Sequence, residues 1–217
     1  MSEYKRNQVE EAISGVLEPR SREPTTELRT RLKRLLEADR ALGREPRSKE
    51  PVRANYAFYS TDPPGSGVEV WFTEYEAFAL LNGLNLLRHG WPQGFAVSVM
   101  RRVRSELQKQ HARILKQDPK TLFDEEAIRR NARAGDMAFN NIDPVLLTIV
   151  SKSGVSLTEQ EEPQACAVCR GPKEATKFAW EASGGAGGWS MFDVVGSAHV
   201  LAAALSRTEP HPRGRGA

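Results

Sequence analysis

The chain has 217 residues, of which 39% are hydrophobic and 27% charged, and its formal net charge is +3. This length can bury a core without disulfides, which excludes a small disulfide scaffold, and the composition is not that of a fibrous or disordered chain. No apolar run approaches the roughly 20 residues that span a bilayer, and the first residues lack the hydrophobic stretch of a secretory signal. We therefore expect a cytoplasmic protein that does not enter a membrane, and its two cysteines fit a reducing compartment.

The first half of the sequence predicts helices around one hairpin. Apolar residues recur at spacings of three and four in the first two helices, and the helix after the hairpin is apolar on nearly every side, which predicts that it forms the core. The helix predicted at 95–117 carries an apolar stripe, or seam, that suits either a partner helix or packing within the chain. The seam consists of Ala96, Met100, Val103, Leu107 and Ile114. In chain order, the predicted elements are a helix at 3–17, a helix that begins after a cap within 24–27 and ends at Gly43, strands at 56–59 and 68–72 around a loop at 62–67, and helices at 74–89 and 95–117.

The second half of the sequence mixes short helices with strands. Its predicted elements are a short helix at 123–134, a hairpin of 137–139 with 145–150, a polar linker at 153–164, helices at 172–182 and 190–205 around a glycine run at 184–188, and a disordered tail at 208–217. The expected fold is therefore mainly α with short β-hairpins. We divide it into a unit at 1–117, a small α+β carboxy-terminal region at 118–207 and the tail.

The modest positive charge lies at the front of the chain. Residues 1–56 hold 13 Lys or Arg against 10 Asp or Glu, whereas residues 151–217 hold 7 of each. Within the second predicted helix, a six-residue window without an acid contains Arg29, Arg31, Lys33 and Arg34. Helical spacing spreads these side chains over about half of the helix surface, which indicates either a solvated face or a surface that contacts DNA.

The predicted element order of helix, helix, hairpin, helix and seam helix is that of a winged helix-turn-helix. From the end of the hairpin onward, an aromatic residue, a hydroxyl, an acid, a leucine ladder and a Gly-aromatic turn follow one another as Phe72, Thr73, Glu76, Leu80, Leu86, Gly90 and Trp91. With Tyr4, Val9 and the stretch Thr26–Arg29, this pattern over residues 1–115 resembles the MerR family of transcription regulators. The resemblance implies a MerR-like winged helix-turn-helix, a homodimer, and double-stranded DNA as the partner of the second helix.

The sequence also departs from the family pattern. Thr30 and Arg31 stand where the family has aromatic residues, and Val70 stands where it has a wing arginine. Two functions therefore stay open. One is a dimeric transcription regulator whose Arg29, Arg31, Lys33 and Arg34 face DNA while the carboxy-terminal region senses a ligand or contacts a partner. The other is an adaptor that keeps the fold and binds protein instead of DNA.

A second basic group lies at the start of the helix predicted at 95–117 and consists of Arg101, Arg102 and Arg104. We interpret it as a charged face beside packed apolar residues, and the alternative is contact with the DNA backbone from a dimer. Either interpretation places these guanidinium groups at the surface.

The carboxy-terminal half offers only weak chemical motifs. Cys166 and Cys169 have the spacing of a zinc knuckle, but structural zinc takes four ligands and the nearest histidine in the sequence is His199, so free structural thiols are preferred. The glycine run has the spacing of no nucleotide-binding loop and indicates a hinge. No nucleophile, base and acid form a recognisable set, so we expect neither enzyme activity nor a cofactor.

Overall fold

The first half of the chain is helical, apart from two short strands that pair with each other. The computed structural model describes residues 3–21, 23–64, 68–132, 137–185 and 187–210. Strand β1 (Glu3–Lys5) lies antiparallel to β2 (Trp71–Thr73), and each leads directly into a helix, α1 (Arg6–Leu17) and α4 (Glu74–Arg88). The other helices of this half are α2 (Thr26–Ala41), α3 (Pro51–Ala54) and α5 (Gln93–Ile114).

The second half contains a three-stranded antiparallel sheet in the order β4-β3-β5. Two short helices precede the sheet, one helix connects β4 to β5, and a last helix follows β5. Their bounds are α6 (Pro119–Leu122), α7 (Glu125–Asn131), β3 (Val145–Val150), β4 (Ala165–Arg170), α8 (Gly171–Ser183), β5 (Trp189–Asp193) and α9 (Val195–Leu205).

Neither predicted hairpin forms among the described residues. Residues 56–59 are irregular and form no strand. Strand β2 pairs with β1 instead, in the register Glu3↔Thr73. Residues 65–67 of the predicted loop lie outside the described part. Residues 137–139 are not a strand either, and both edges of β3 are already paired, one with β4 and the other with β5. The coarse prediction of an α-rich chain with short β-structure is confirmed, whereas the winged hairpin is wrong.

Most predicted helices are confirmed, together with the caps that start them. The Thr25 hydroxyl accepts a hydrogen bond from the amide of Leu28, and Thr73 and Glu76 form a reciprocal capping box at the start of α4. The helix predicted at 190–205 is wrong in its first turn, because residues up to Asp193 complete β5. The Asp193 carboxylate then accepts from the amide of Val195 and starts α9. Within the helix predicted at 123–134, only Glu125–Asn131 is α-helical, and residues 133–134 lie outside the described part, as do residues 211–217 of the predicted tail.

One hydrophobic core includes residues from both halves. Helix α4 is buried along most of its length, and α1, α2 and α5 pack around it. Helix α9 packs against α1 and α4, and β4 packs against α5. Buried side chains such as Phe78 of α4, Val145 of β3 and Leu201 of α9 therefore belong to the same cluster. None of the described helices is long and apolar enough to cross a membrane.

A buried ion pair connects α2 to α5. The guanidinium of Arg101 donates from Nε to Asp39 Oδ1 at 2.6 Å, and both residues are almost fully buried, with exposures of 2% and 0%. Asp39 also accepts from the backbone amides of Ala57 and Phe58, each at 3.0 Å. Arg101 donates further to the carbonyl of Val52 at 2.9 Å. The pair therefore fixes α3 and the irregular segment 55–60 that follows it against two helices.

Two further buried charges hold the same irregular segment. Arg104 donates to the carbonyls of Tyr56 and Ala57, both at 2.9 Å, and to the Ser60 hydroxyl at 3.1 Å. Glu76 accepts from the amide of Ser60 while it caps α4. Backbone groups that have no ladder or helical partner are thus paired with side chains, as burial requires.

We predict that Asp39→Ala strongly destabilises the protein. The change leaves the buried Arg101 charge without a counter-charge and two backbone amides without an acceptor, and breaking a buried pair in this way costs about 3–5 kcal/mol. The matched control is Glu37→Ala on the exposed face of the same helix, which we expect to change stability by less than about 0.5 kcal/mol. Urea unfolding followed by circular dichroism measures both, and equal stabilities for the two variants would contradict the structural role of the pair.

His111 lies in the core beside two aromatic rings. Its ring stacks on Phe78 with centroids 4.5 Å apart and meets Tyr75 edge-on at 5.9 Å. Burial, with a smaller contribution from the neighbouring His199, lowers the pKa of His111 to about 4. The imidazole is therefore neutral in the folded protein at neutral pH.

We predict that His111 makes the fold less stable in mild acid. Between its ordinary pKa of 6.5 and about pH 4, His111 binds a proton in the unfolded state but not in the folded state. The free energy of unfolding therefore falls as the pH is lowered across this range. From about pH 7.5 to about pH 5 the expected loss is about 2 kcal/mol. His111→Phe should remove most of this loss, while His89→Phe at an exposed position should retain it. Urea midpoints at both pH values measure the effect, and an unchanged loss in His111→Phe would contradict it.

Candidate nucleic-acid interface

Helix α2 has one face in the core and one in solvent. Its apolar face is buried and consists of Leu28, Leu32, Leu35 and Leu36. On the outer side, the side chains of Arg29, Arg31 and Lys33 are exposed by 51%, 43% and 62%. Arg34 is exposed as well. The amphipathic pattern thus places all four predicted residues at the surface.

Three of these four cations lie beside carboxylates. Arg31 pairs with Glu27 at 2.5 Å and Lys33 approaches Glu37 at 3.7 Å, both one turn away on α2. Arg29 lies 3.7 Å from Glu10 of α1. The Arg34 side chain makes no ion pair with any other described residue. Exposed pairs of this kind contribute at most about 1 kcal/mol each, so phosphate groups can compete for these cations.

The position of α2 is fixed at several points. Thr25 caps its first turn, and Asp39 anchors its last turn through the buried pair with Arg101. Between them, the Gln93 side chain donates to the carbonyl of Arg34 at 3.0 Å. A helix held in this way presents its outer side chains from a rigid support.

Two cations that the sequence reasoning missed extend this surface. Arg40 lies on α2 seven residues after Lys33, a spacing that returns to the same side of a helix, and its guanidinium donates to the carbonyl of Pro64. Arg6 at the start of α1 pairs with Glu10. Arg6, Lys33 and Arg40 line a groove of about 170 Å³ between α2 and the segment around Val68. The helical spacing was the signal for Arg40, whereas only the fold brings Arg6 to this groove.

The second basic group does not lie on the surface as expected. Arg101 and Arg104 are buried, with exposures of 2% and 7%, and both serve the internal network described above. Only Arg102 reaches outward, where it pairs with Glu162 at 2.7 Å. Both interpretations of Arg101 and Arg104 are therefore wrong, because the backbone carbonyls of the irregular segment require buried donors.

The predicted seam on α5 packs within the chain. Its five apolar residues are all buried in the core cluster, so the intramolecular alternative describes them and they are not a free face for a partner helix. The members are Ala96, Met100, Val103, Leu107 and Ile114. A homodimer stays a prediction, and this seam does not support it.

The cysteine pair lies in β4 rather than in a metal-binding turn. Residues three apart in a strand point to opposite faces, and Cys166 accordingly packs against the main core while Cys169 packs against a small cluster under α8. Burial raises the pKa of Cys166 to about 12 and also raises that of Cys169. The described residues contain no group of three or more His, Cys, Asp or Glu placed to hold a metal ion. The strand geometry thus prevents both thiols from binding one zinc ion.

The glycine run serves as the end of a helix. Gly184 adopts the left-handed conformation that terminates α8, and Gly185 has a φ of 80°. The chain then enters β5, so no helix N-terminus follows to bind a phosphate. The run is a connection between α8 and β5.

Comparison with protein-family models, curated proteins and solved structures gave no match. The geometry and charge of the described residues are thus the basis for a functional proposal. The surface around α2 is the strongest candidate for a binding site, because it combines exposed cations with a helix that is rigidly supported.

Proposed function

We propose that the protein is a DNA-binding transcription regulator that contacts double-stranded DNA through α2 and the cationic groove beside it. The observation that carries this proposal is the clustering of exposed cations on the outer side of α2. A single helix has the dimensions of the major groove, and arginines on it reach phosphates and guanine edges. Arg29, Arg31, Lys33 and Arg34 supply this charge, and Arg6 and Arg40 extend it beside the helix.

The neighbouring carboxylates shape the expected mode of binding. Glu10, Glu27 and Glu37 lie beside three of the cations in the free protein, so DNA must displace these contacts as it docks. The loss of these ion pairs favours modest affinity. The release of counterions from each contacted phosphate separately makes the affinity fall as the salt concentration rises. The proposal thus assigns Arg34, which has no carboxylate partner among the described residues, to the first phosphate contact.

An adaptor that binds protein is the second candidate. It is favoured by the mixed charge of the α2 surface, where acids alternate with the cations, and by the absence of a wing hairpin among the described residues. Protein interfaces tolerate such mixed charge, whereas DNA backbones repel the carboxylates. The two candidates differ in the response of binding to duplex DNA and salt.

We predict salt-sensitive binding to duplexes of about 30 base pairs, three helical turns, cut from the region upstream of the protein's own gene. Fluorescence anisotropy at roughly 50 to 200 mM salt measures the affinity and its slope. Replacing Arg29, Arg31, Lys33 and Arg34 by Gln should weaken binding and lower the slope of log K against log salt by up to about 4.

The matched control removes the same charge elsewhere. Arg129, Arg130, Lys173 and Lys177 are exposed on α7 and α8, and their replacement by Gln changes the net charge equally. This control should bind like the wild type. An equal loss in both quadruple variants would mean that only net charge matters, and no binding by the wild type would reject DNA as the partner and favour the adaptor.

A further inference from the structure

Strand β5 forms one edge of the three-stranded sheet, and its outer side is open. The strand order is β4-β3-β5, so β3 pairs with only one side of β5. Every residue of β3 is buried, whereas every residue of β5 keeps part of its surface in solvent. Trp189 at the start of β5 is exposed by 43%. Among the described residues, β5 therefore has a strand partner on one side only.

The hydrogen bonds to β3 show which backbone groups of β5 point outward. The amide of Val194 donates to the carbonyl of Val145 at the end of the β3–β5 pairing, and the register is unbroken from there. Bonded pairs alternate along an antiparallel ladder, so residues 190 and 192 also bond to β3. The backbone groups of the other residues point away from β3 and have no hydrogen-bond partner in the described part of the chain. These residues are Trp189, Met191 and Asp193.

The sequence of β5 does not protect this edge. Natural sheets protect an open edge with lysine, proline or a bulge, because a row of free N–H and C=O groups pairs readily with another strand. Strand β5 contains neither Lys nor Pro, and its register shows no bulge. At the opposite edge, Arg170 of β4 places a charge, and its amide donates to the Glu174 carboxylate at 2.8 Å. This contrast favours β5 as the edge that pairs with another strand.

The spacing of the outward groups favours a second copy of the same strand. They lie symmetrically about Met191, so a two-fold axis at this residue places Trp189 opposite Asp193 of the second copy. Facing residues then exchange their N–H and C=O groups, and none of these groups stays unpaired. The one charge of β5 is Asp193, whose carboxylate already accepts from the amide of Val195 and from Asn141. Since no like charges face each other, the edge is complementary to itself.

A groove beside the edge fits a side chain of the second copy. It has a volume of about 510 Å³ and is lined by His89, Trp91, Ser190 and Phe192, among others. Ser190 and Phe192 point to the same side of the sheet. In the two-fold pairing, Ser190 lies opposite Phe192 of the second copy, which brings that aromatic ring to the groove. The side chains thus complement each other in the same register as the backbone groups.

We propose that the protein forms a two-fold dimer in which the β5 strands of two copies pair antiparallel, centred on Met191. The two sheets then join into one sheet of six strands. Backbone pairing sets the direction and register, and the apolar side chains along the edge supply buried area. The interface uses no residue of α2, and the proposal does not depend on DNA binding.

The test replaces Met191 by a charge and measures the mass of the full chain in solution. Sedimentation equilibrium should show a wild-type dimer at about 100 µM, since small interfaces give micromolar affinity. Met191→Lys and Met191→Glu each place two like charges opposite each other at the axis. Each change should raise the dissociation constant about tenfold or more. An equimolar mixture of the two variants should restore the dimer, because opposite charges then face each other.

A matched control and a measurement on the wild type complete the design. Leu42→Lys adds the same charge at an apolar residue that is 61% exposed at the end of α2, and this variant should dimerise like the wild type. Hydrogen exchange followed by NMR needs no variant. The Met191 amide should exchange at least about threefold more slowly at about 500 µM protein than at about 10 µM. The Ser190 amide, already bonded to β3, should change little.

Each outcome decides the proposal. A wild-type dimer that dissociates in both Met191 variants, re-forms in their mixture and persists in Leu42→Lys supports it. A wild type that is monomeric at about 100 µM overturns it and leaves the edge to a strand of another protein. A dimer that survives in Met191→Lys, or a mixture that stays monomeric, also overturns it. Where circular dichroism shows that a variant is unfolded, the wild-type exchange decides, and equal exchange of the Met191 amide at both concentrations overturns the proposal.

Discussion

The pair of Asp39 and Arg101 is the interaction on which the amino-terminal half depends. It joins α2 to α5 and holds the amides of Ala57 and Phe58 between them. Phe58 in turn packs so closely on Gly83 of α4 that a Cβ there would lie 2.9 Å from its ring. A buried ion pair gives little net stability compared with an apolar core of the same shape, but its energy depends strongly on the exact positions of the two charged groups. We infer that it selects one arrangement of an irregular segment that has no repeating backbone pairing of its own.

Helices were predictable from the sequence because their signals are local. The spacing of apolar residues and the hydroxyls of Thr25 and Thr73 define α2 and α4 without knowledge of the rest of the chain. The role of Arg101 was not predictable in this way. An arginine beside buried apolar residues has the same pattern whether its head lies in solvent or against a carboxylate 62 residues earlier. Only the fold brings Asp39 to it.

Strand pairing was also hard to predict from the sequence, because it too depends on contacts between distant residues. The run that forms β3 is apolar at nearly every position, which signals burial but does not name a partner. Its neighbours β4 and β5 come later in the chain, and the strand β4 that carries Cys166 and Cys169 has a spacing also found in metal-binding turns. The candidate cations of α2 were predictable as a cluster, whereas their carboxylate partner Glu10 and the neighbouring Arg6 come from α1 through tertiary packing.

Helix α1 lies between the cationic surface and the carboxy-terminal half. Its Glu10 lies beside Arg29 of α2, and the same helix packs against α9. The Gln8 side chain near its start donates to the carbonyl of Thr208, just after α9, at 3.1 Å. The carboxy-terminal half is therefore joined to the cationic surface through a single packed helix. Coupling between distant parts of a protein needs a contiguous route of this kind, and α1 provides one.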